Sequence, residues 1–278
     1  MMSNNFLVFA GIAPHPPIMV PEVGGAASSE VRGSVDAMRD FTQRVINSQA
    51  ESIVLISPHA PLQQNSFVAY MDAPLRGDFS GFRAPDVNIE TPLDEELLAA
   101  ITRAAAVEGY DVSGIRGFGL DHGTLVPLYF LLRNGWRGSV VALGYNFLSN
   151  EHHLRFGACV KQAINALQRP TAFVASGDLS HRLTTDAPAG YFRDAHLFDE
   201  EIVESINDCE PSRVVHIDQD LRRAAGECGY RSMLVLFGAV QDDALNCEVL
   251  HYEAPFGVGY LVAQIMASNS GSDALAEK

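Results

Sequence analysis

The sequence predicts one α/β domain built on a central, mostly parallel or mixed sheet flanked by helices. Three observations predict it. Short apolar runs of strand length alternate with longer segments of helical spacing, several of those runs stop abruptly on Pro, Gly or His, and no stretch is rich enough in linker residues to divide residues 1–267.

The elements follow in order. Phe6–Ile12 reads as a strand. Ser29–Gln49 carries Val31, Val35, Met38, Phe41 and Val45 at helical spacing, and Ile53–Ser57 is a short buried strand, so strand, helix and strand make a parallel pair with a crossover. "SFVAYMD" is a further strand, and the rest of 62–92, with "RGDFSGFRAP", reads as a long loop. Leu93–Val107 is helical, opened by Thr91-Pro92 as cap and first turn. "GFGLDHG" is a glycine-rich loop before the helix Thr124–Leu132. Ser139–Leu143 and Thr171–Ala175 are buried strands on either side of the helix Glu151–Leu167. Helices are expected near Ala189–Ser205 and Gln219–Ala225, "GECG" opens the apolar helix Tyr230–Val240, and Cys247–Tyr252 and Gly257–Ile265 close the sheet. The polar "SNSGSDALAEK" is expected to fray.

Composition removes several classes of function. With 19 Lys and Arg against 34 Asp and Glu, the net charge of -15 repels nucleic acid and anionic lipid. Pro14, Pro16 and Pro17 interrupt the first apolar run well short of a membrane span, and no basic leader precedes it. Cys159, Cys209, Cys228 and Cys247 form no CxxC pair, which argues against a disulfide scaffold or a Cys-rich zinc site and for a reducing, cytoplasmic location.

In an open α/β sheet, ligands bind at the carboxyl ends of the parallel strands. His15 in "GIAPHPP", His59 in "LISPHAP" and His181 in "FVASGDLSH" all fall there, and a proline before the first two limits the loop's freedom. His122 in "LDHGTLVP" sits just before a helix. Any one of these alone reads as an ordinary loop histidine; the two matching strand-Pro-His turns make a metal pair. His152, His153 and His196 are expected on helix surfaces, and His216 and His251 in structural positions. Two imidazoles and a carboxylate suit Fe(II), and three histidines with water suit catalytic zinc. The candidate third donors are Glu227 in "AAGECGYRS", Glu253 in "LHYEAPFGVGY" and, for a softer metal, the thiol of Cys228.

In this order, "APHPP", "SPHAP", "DHGTLVPL", "SGDLSH", "GECGYRSM" and "YEAPFGVGY" resemble the class III extradiol ring-cleavage dioxygenases, the superfamily of the protocatechuate 4,5-dioxygenase catalytic subunit, to which the Memo-like proteins also belong. The resemblance implies Fe(II) on His15, His59 and Glu227, an acid–base role for His181 and a second pocket histidine in His122. It also implies a catechol- or aminophenol-type substrate with O2, a homo-oligomer, and in some members a small accessory subunit. A neutral imidazole with a pKa near about 6.5 can take a proton from a catechol and return it. The Memo-like branch has cysteine in place of the glutamate, and here the two are neighbours. A Memo-like redox-associated protein without ring cleavage and a divalent-metal hydrolase are the competing expectations. Segments 62–92 and 183–192 are the expected specificity walls.

Overall fold

Ile53 and Leu55 face one side of the sheet and Val54 and Ile56 the other, and all four are fully buried, so this strand is covered by helices on both faces. The same double burial holds for its neighbours. In a computed structural model that describes residues 5–267, eight strands form one sheet: β1 (Leu7–Ala13), β2 (Ser52–Ser57), β3 (Phe67–Tyr70), β6 (Val112–Ile115), β7 (Ser139–Gly144), β8 (Thr171–Ser176), β9 (Glu248–Glu253) and β10 (Tyr260–Ala267). Their spatial order is β6-β3-β7-β2-β8-β1-β10-β9. The central strands β7, β2, β8 and β1 are mutually parallel, whereas β3 runs antiparallel to β7 and β10 antiparallel to β1, so the sheet is mixed. Four neighbouring carboxyl ends therefore open on one edge of the molecule.

The helices are α1 (Pro21–Gly24), α2 (Arg32–Asn47), α3 (Glu95–Val107), α4 (His122–Arg133), α5 (Asn150–Leu167), α6 (His196–Asn207), α7 (Ser212–Val215), α8 (Gln219–Ala225) and α9 (Tyr230–Val240). One face carries α3, α5, α6 and α9 around Phe156, Phe173, Phe198 and Leu234, and the other carries α2 and α4 around Phe9, Phe41 and Leu128. From Ser232 onward α9 is buried between α5 and the sheet, in keeping with its apolar sequence there.

Several expectations are corrected here. The stretch read as a long loop contains an antiparallel arm, β4 (Leu75–Phe79) with β5 (Ala84–Thr91), whose alternation of buried Val87, Ile89 and Thr91 with exposed polar neighbours is a half-buried strand. The helix expected from Ala189 starts at His196, because residues 189–195 instead fold back on the loop that follows β8. His153 is fully buried inside α5, not on its surface, with Nδ1 against the Ser149 carbonyl at 2.8 Å and Nε2 against the Asn146 carbonyl at 3.2 Å. No helix among the described residues is long and apolar enough to cross a membrane. The polar tail expected to fray, 268–278, lies outside the described residues.

The cap of α3 is Asp94, not Thr91. Its carboxylate accepts from Leu97 N–H at 3.0 Å, Ser52 Oγ at 2.6 Å and Arg169 Nη2 at 2.6 and 2.7 Å, so it ties α3 to β2 and to the lead-in of β8. Asp94→Ala is expected to destabilise the fold by about 2–4 kcal/mol, a lost cap plus the orphaned partners, measured by urea unfolding. A change below about 0.5 kcal/mol would deny the network that role.

The scattered cysteines gave no sign of pairing, yet Cys209 and Cys247 are joined by a disulfide that ties the end of α6 to the lead-in of β9, leaving Cys159 and Cys228 free. Structural bridges are uncommon in reducing compartments, so this pair and a cytoplasmic location pull in opposite directions. Denatured, unreduced protein is expected to titrate only the thiols of Cys159 and Cys228, and all four cysteines after reduction. Four reactive thiols without reductant would contradict the bridge.

Candidate metal centre

His15, His59 and His181 follow the carboxyl ends of three parallel strands. β1 runs into Pro14-His15, β2 into Pro58-His59, and β8 into Gly177-Asp178 and on to His181. From the helical side, Asp121 caps α4 by accepting from Thr124 N–H at 3.1 Å, and α4 begins on His122. Gly123 allows this close approach, because a Cβ there would collide with Ser57 Oγ. A second glycine contact sets Cys228 in place. Gly177 and Gly229 pack backbone on backbone, and a side chain on Gly177 would strike Gly229 Cα, so the loop "GECG" is drawn against the exit of β8.

The result is a tight group. His15 Nε2 lies 3.0 Å from His59 Nε2 and 3.7 Å from Cys228 Sγ. The His122 ring stacks on His59 at 4.1 Å between centroids and meets His15 edge-on at 5.3 Å. Asp178 Oδ1 accepts from the His15 N–H at 3.0 Å, its Oδ2 lies 3.8 Å from His15 Nε2, and its own N–H donates to Cys228 Sγ at 3.3 Å. Among the described residues, two sets of three metal-ligating groups have their donor atoms within 4.8 Å of one another: His15, His59 and Cys228, and Asp178, His181 and Cys228. Cys228 belongs to both.

The tautomer of His15 follows from its partners. Ser176 Oγ donates to the Gly123 carbonyl at 2.5 Å, so toward His15 Nδ1, at 3.0 Å, it is the acceptor. Nδ1 then carries the proton and Nε2 presents a lone pair to His59 and Cys228. Burial first, then the neighbouring imidazoles of His59, His122 and His181, holds His15 well below the ordinary histidine range. Burial, with His122 next, brings His59 down to about 4. Burial lowers His122 and His181 as well. Asp178 is pushed up to about 7 by burial, against the hydrogen bond from His15 N–H, and burial followed by Asp178 raises the Cys228 thiol well above its ordinary range. Neutral imidazoles crowded nitrogen to nitrogen beside a thiol fit a divalent or monovalent transition metal, since a cation would satisfy donors that otherwise have only one another.

Glu227 is not in the group. Its Oε2 accepts from Tyr230 N–H at 2.8 Å, capping α9, and its Oε1 faces Arg222 Nη2 at 3.5 Å. Glu253 is further removed in role: its Oε1 accepts from Ser34 N–H at 2.8 Å and Ser34 Oγ at 2.6 Å near the start of α2. His181 is brought beside Asp178 and Cys228 by hydrogen bonds from its N–H to the Ala225 carbonyl at 3.0 Å and from Ala189 N–H to its own carbonyl at 3.2 Å; its Nδ1 is buried without a partner. Sequence reasoning passed over Asp178, although it sits two residues beyond a buried strand inside "SGDLSH", and kept Cys228 only as a rival donor.

Comparison with known proteins agrees with this architecture. The family model described as the catalytic LigB subunit of aromatic ring-opening dioxygenase matches residues 10–263. Protein CA_C1420 of Clostridium acetobutylicum is 33% identical over 279 residues, covering 96% of this chain and 59% of that protein, so the chain spans little more than half of its relative. The solved structure of the uncharacterized protein JW3007 from Escherichia coli K12 superposes with a TM-score of 0.63 at 16% identity, covering 93% of this chain and 100% of that one, which speaks for a common fold. With strand-end histidines in place and the family match running through nearly the whole chain, the protein belongs to the LigB family of aromatic ring-opening dioxygenase catalytic subunits.

Proposed function

We propose that this chain is a metal-dependent oxidoreductase whose metal is held by His15, His59 and Cys228. The observation that carries the reading is the convergence of His15 Nε2, His59 Nε2 and Cys228 Sγ, with Glu227 turned away to cap α9. This favours the Memo-like form of the centre, in which a thiol stands where the ring-cleaving enzymes have a carboxylate. A thiolate supplies the same single negative charge and shifts preference toward softer, redox-active metals, iron and copper among them. Bound there, the metal would supply electron transfer and a common point of attachment for a small substrate and O2.

The chain's own groups do the rest. Ser176 fixes the His15 ring, Asp178 holds the His15 backbone N–H with its carboxylate and the Cys228 thiol with its own N–H, and the Asp121 carboxylate, taking hydrogen bonds from Ser57 Oγ at 2.5 Å and Tyr70 OH at 2.9 Å, braces the turn that carries His59. A hydrolase is the weaker alternative, because both candidate bases, Glu227 and Glu253, are engaged at helix starts.

A second reading, Fe(II)-dependent extradiol cleavage of a catechol- or aminophenol-type ring to a semialdehyde, is favoured by the presence of His122 and His181 in the same cluster. There His181 would take the hydroxyl proton and return it, and His122 would donate to a substrate or oxygen atom as charge develops. Anaerobic reconstitution with Fe(II) and with Cu(I), followed by oxygen uptake in the presence of catechols, tests both readings. Stoichiometric metal without catechol-dependent oxygen uptake supports the first alone; uptake with a yellow ring-opened product supports the second; no stoichiometric metal removes both.

A further inference from the structure

Among the described residues, the closing motif "YEAPFGVGY", residues 252–260, contributes no donor to either metal-ligating group. Its backbone is zipped instead to the segment that carries His181. Leu179 N–H donates to the Gly259 carbonyl at 2.8 Å, Gly259 N–H to the Ser180 carbonyl at 2.9 Å, and Leu183 N–H to the Gly257 carbonyl at 3.1 Å. Two glycines permit this approach. Gly257 takes a left-handed φ of 71°, and a side chain there would strike Thr184 Oγ1; a side chain on Gly259 would strike Asp199 Oδ2.

Asp199 fills the notch that Gly259 leaves. It lies in the first turn of α6, is 1% exposed, and makes no ion pair among the described residues. Its oxygens do not serve α6: Oδ1 accepts from Ser180 N–H at 2.8 Å and Oδ2 from Tyr252 OH at 2.8 Å. Burial pushes its carboxyl up to about 7, although both hydrogen bonds oppose the shift. A carboxylate buried without a cation costs more than an apolar residue of the same volume, so core packing alone does not account for it. What it holds is Ser180. That fully buried residue is tied at every polar atom: its N–H to Asp199, its carbonyl to Gly259, and its Oγ donating to the Ala225 carbonyl at 3.0 Å and accepting from Arg182 N–H at 3.1 Å. His181 is the next residue, and its own N–H reaches the same Ala225 carbonyl.

We infer that Asp199, steadied by Tyr252, is a positioning residue for His181: it fixes the Ser180–His181 peptide against the 257–259 turn, so that the imidazole is presented beside Asp178 and Cys228. The duty of that imidazole rests on the reading of His181 as an acid–base group in ring cleavage; the hold itself does not.

The test is hydrogen–deuterium exchange of Fe(II)-loaded protein, read by mass spectrometry over residues 178–183, with iron content and catechol-dependent oxygen uptake measured on the same variants. Asp199→Ala leaves the buried Ser180 N–H without an acceptor and is expected to speed exchange in this segment about 10- to 100-fold, with β1 and β2 unchanged. Asp199→Asn keeps an acceptor for that N–H and should restore most of the protection, and Tyr252→Phe, which keeps the carboxylate but removes its brace, should fall between. Iron content is expected to stay stoichiometric throughout, because the ligands lie on other segments. For a catechol, kcat should fall in Asp199→Ala with KM kept, the sign of a misaligned group and not of a lost binding contact. Unchanged exchange in Asp199→Ala, or exchange speeded uniformly across the sheet, overturns the positioning role. Where Asp199→Ala does not fold, Tyr252→Phe decides on the same criterion. Loss of iron from Asp199→Asn would place the effect on the centre as a whole and also overturns it. Wild-type protein that turns over no catechol removes the acid–base duty of His181 and leaves the exchange result to decide the hold.

Discussion

His15→Ala and His59→Ala each lower metal affinity by more than about 100-fold while the chain stays folded. Loss of a single outer partner of a ligand already costs about 10–100-fold, and here a ligand itself is removed. The expectation is specific to these positions because neither ring is part of the apolar core: His15 is buried among polar groups, against Ser176 and Asp178, and His59 is exposed at the mouth. Inductively coupled plasma analysis after equilibrium dialysis reads the metal, and circular dichroism with urea unfolding reads the fold. Full metal occupancy in both variants would remove the centre altogether. Unfolding of either would show that the ring's contacts, not its ligation, are what the protein needs.

His181→Ala is expected to keep metal but to lose catechol turnover, where turnover exists, by roughly 10²–10⁴-fold, the usual scale for a positioned acid–base group. Its loop supports the distinction between a chemical and a structural role. The loop is held by backbone hydrogen bonds that the substitution leaves in place, from His181 N–H to the Ala225 carbonyl at 3.0 Å and from Leu179 N–H to the Gly259 carbonyl at 2.8 Å. Asp199 adds a third hold, accepting from Ser180 N–H at 2.8 Å. The deletion therefore removes the imidazole and little else. Near-normal oxygen uptake in this variant would assign His181 to another duty, and loss of metal would make it a ligand.

How much of this could be read from the chain alone varied with the kind of signal. The central strands were legible because β2 and β8 are apolar on both faces and stop on Pro or Gly; that double burial is what parallel strands under two helical layers require. The β4–β5 arm was not, because Gly77, Pro85 and the "SGF" turn read as loop punctuation, whereas pairing across the arm makes the residues on either side of that turn strand. His153 was misplaced because a polar side chain on a helix is assigned to water by default; here the Ser149 carbonyl, 2.8 Å from Nδ1, takes the place of water. The disulfide joins cysteines separated by 38 residues, a distance along the chain that carries no local pattern.

At the site, the strand-end rule found His15, His59 and His181, because their placement follows from topology. It could not choose between Glu227 and Cys228. Adjacent residues in a turn present their side chains in different directions, and which of them meets His15 is set by the contact of Gly177 with Gly229, a packing event between segments about fifty residues apart in sequence. Asp178 was missed for a related reason: its neighbours His15 N–H and Cys228 Sγ come from other elements.

The choice between these neighbours is the central claim, and metal X-ray absorption tests it most directly. Wild-type protein loaded with Fe(II) or Cu(I) is expected to show one sulfur scatterer in the first shell. Cys228→Ser should lose that shell together with stoichiometric binding, while Glu227→Gln, which keeps an acceptor for Tyr230 N–H, should retain both. A first shell of nitrogen and oxygen only, unchanged in Cys228→Ser and lost in Glu227→Gln, would contradict the thiol-ligated centre and return the site to two histidines and a carboxylate.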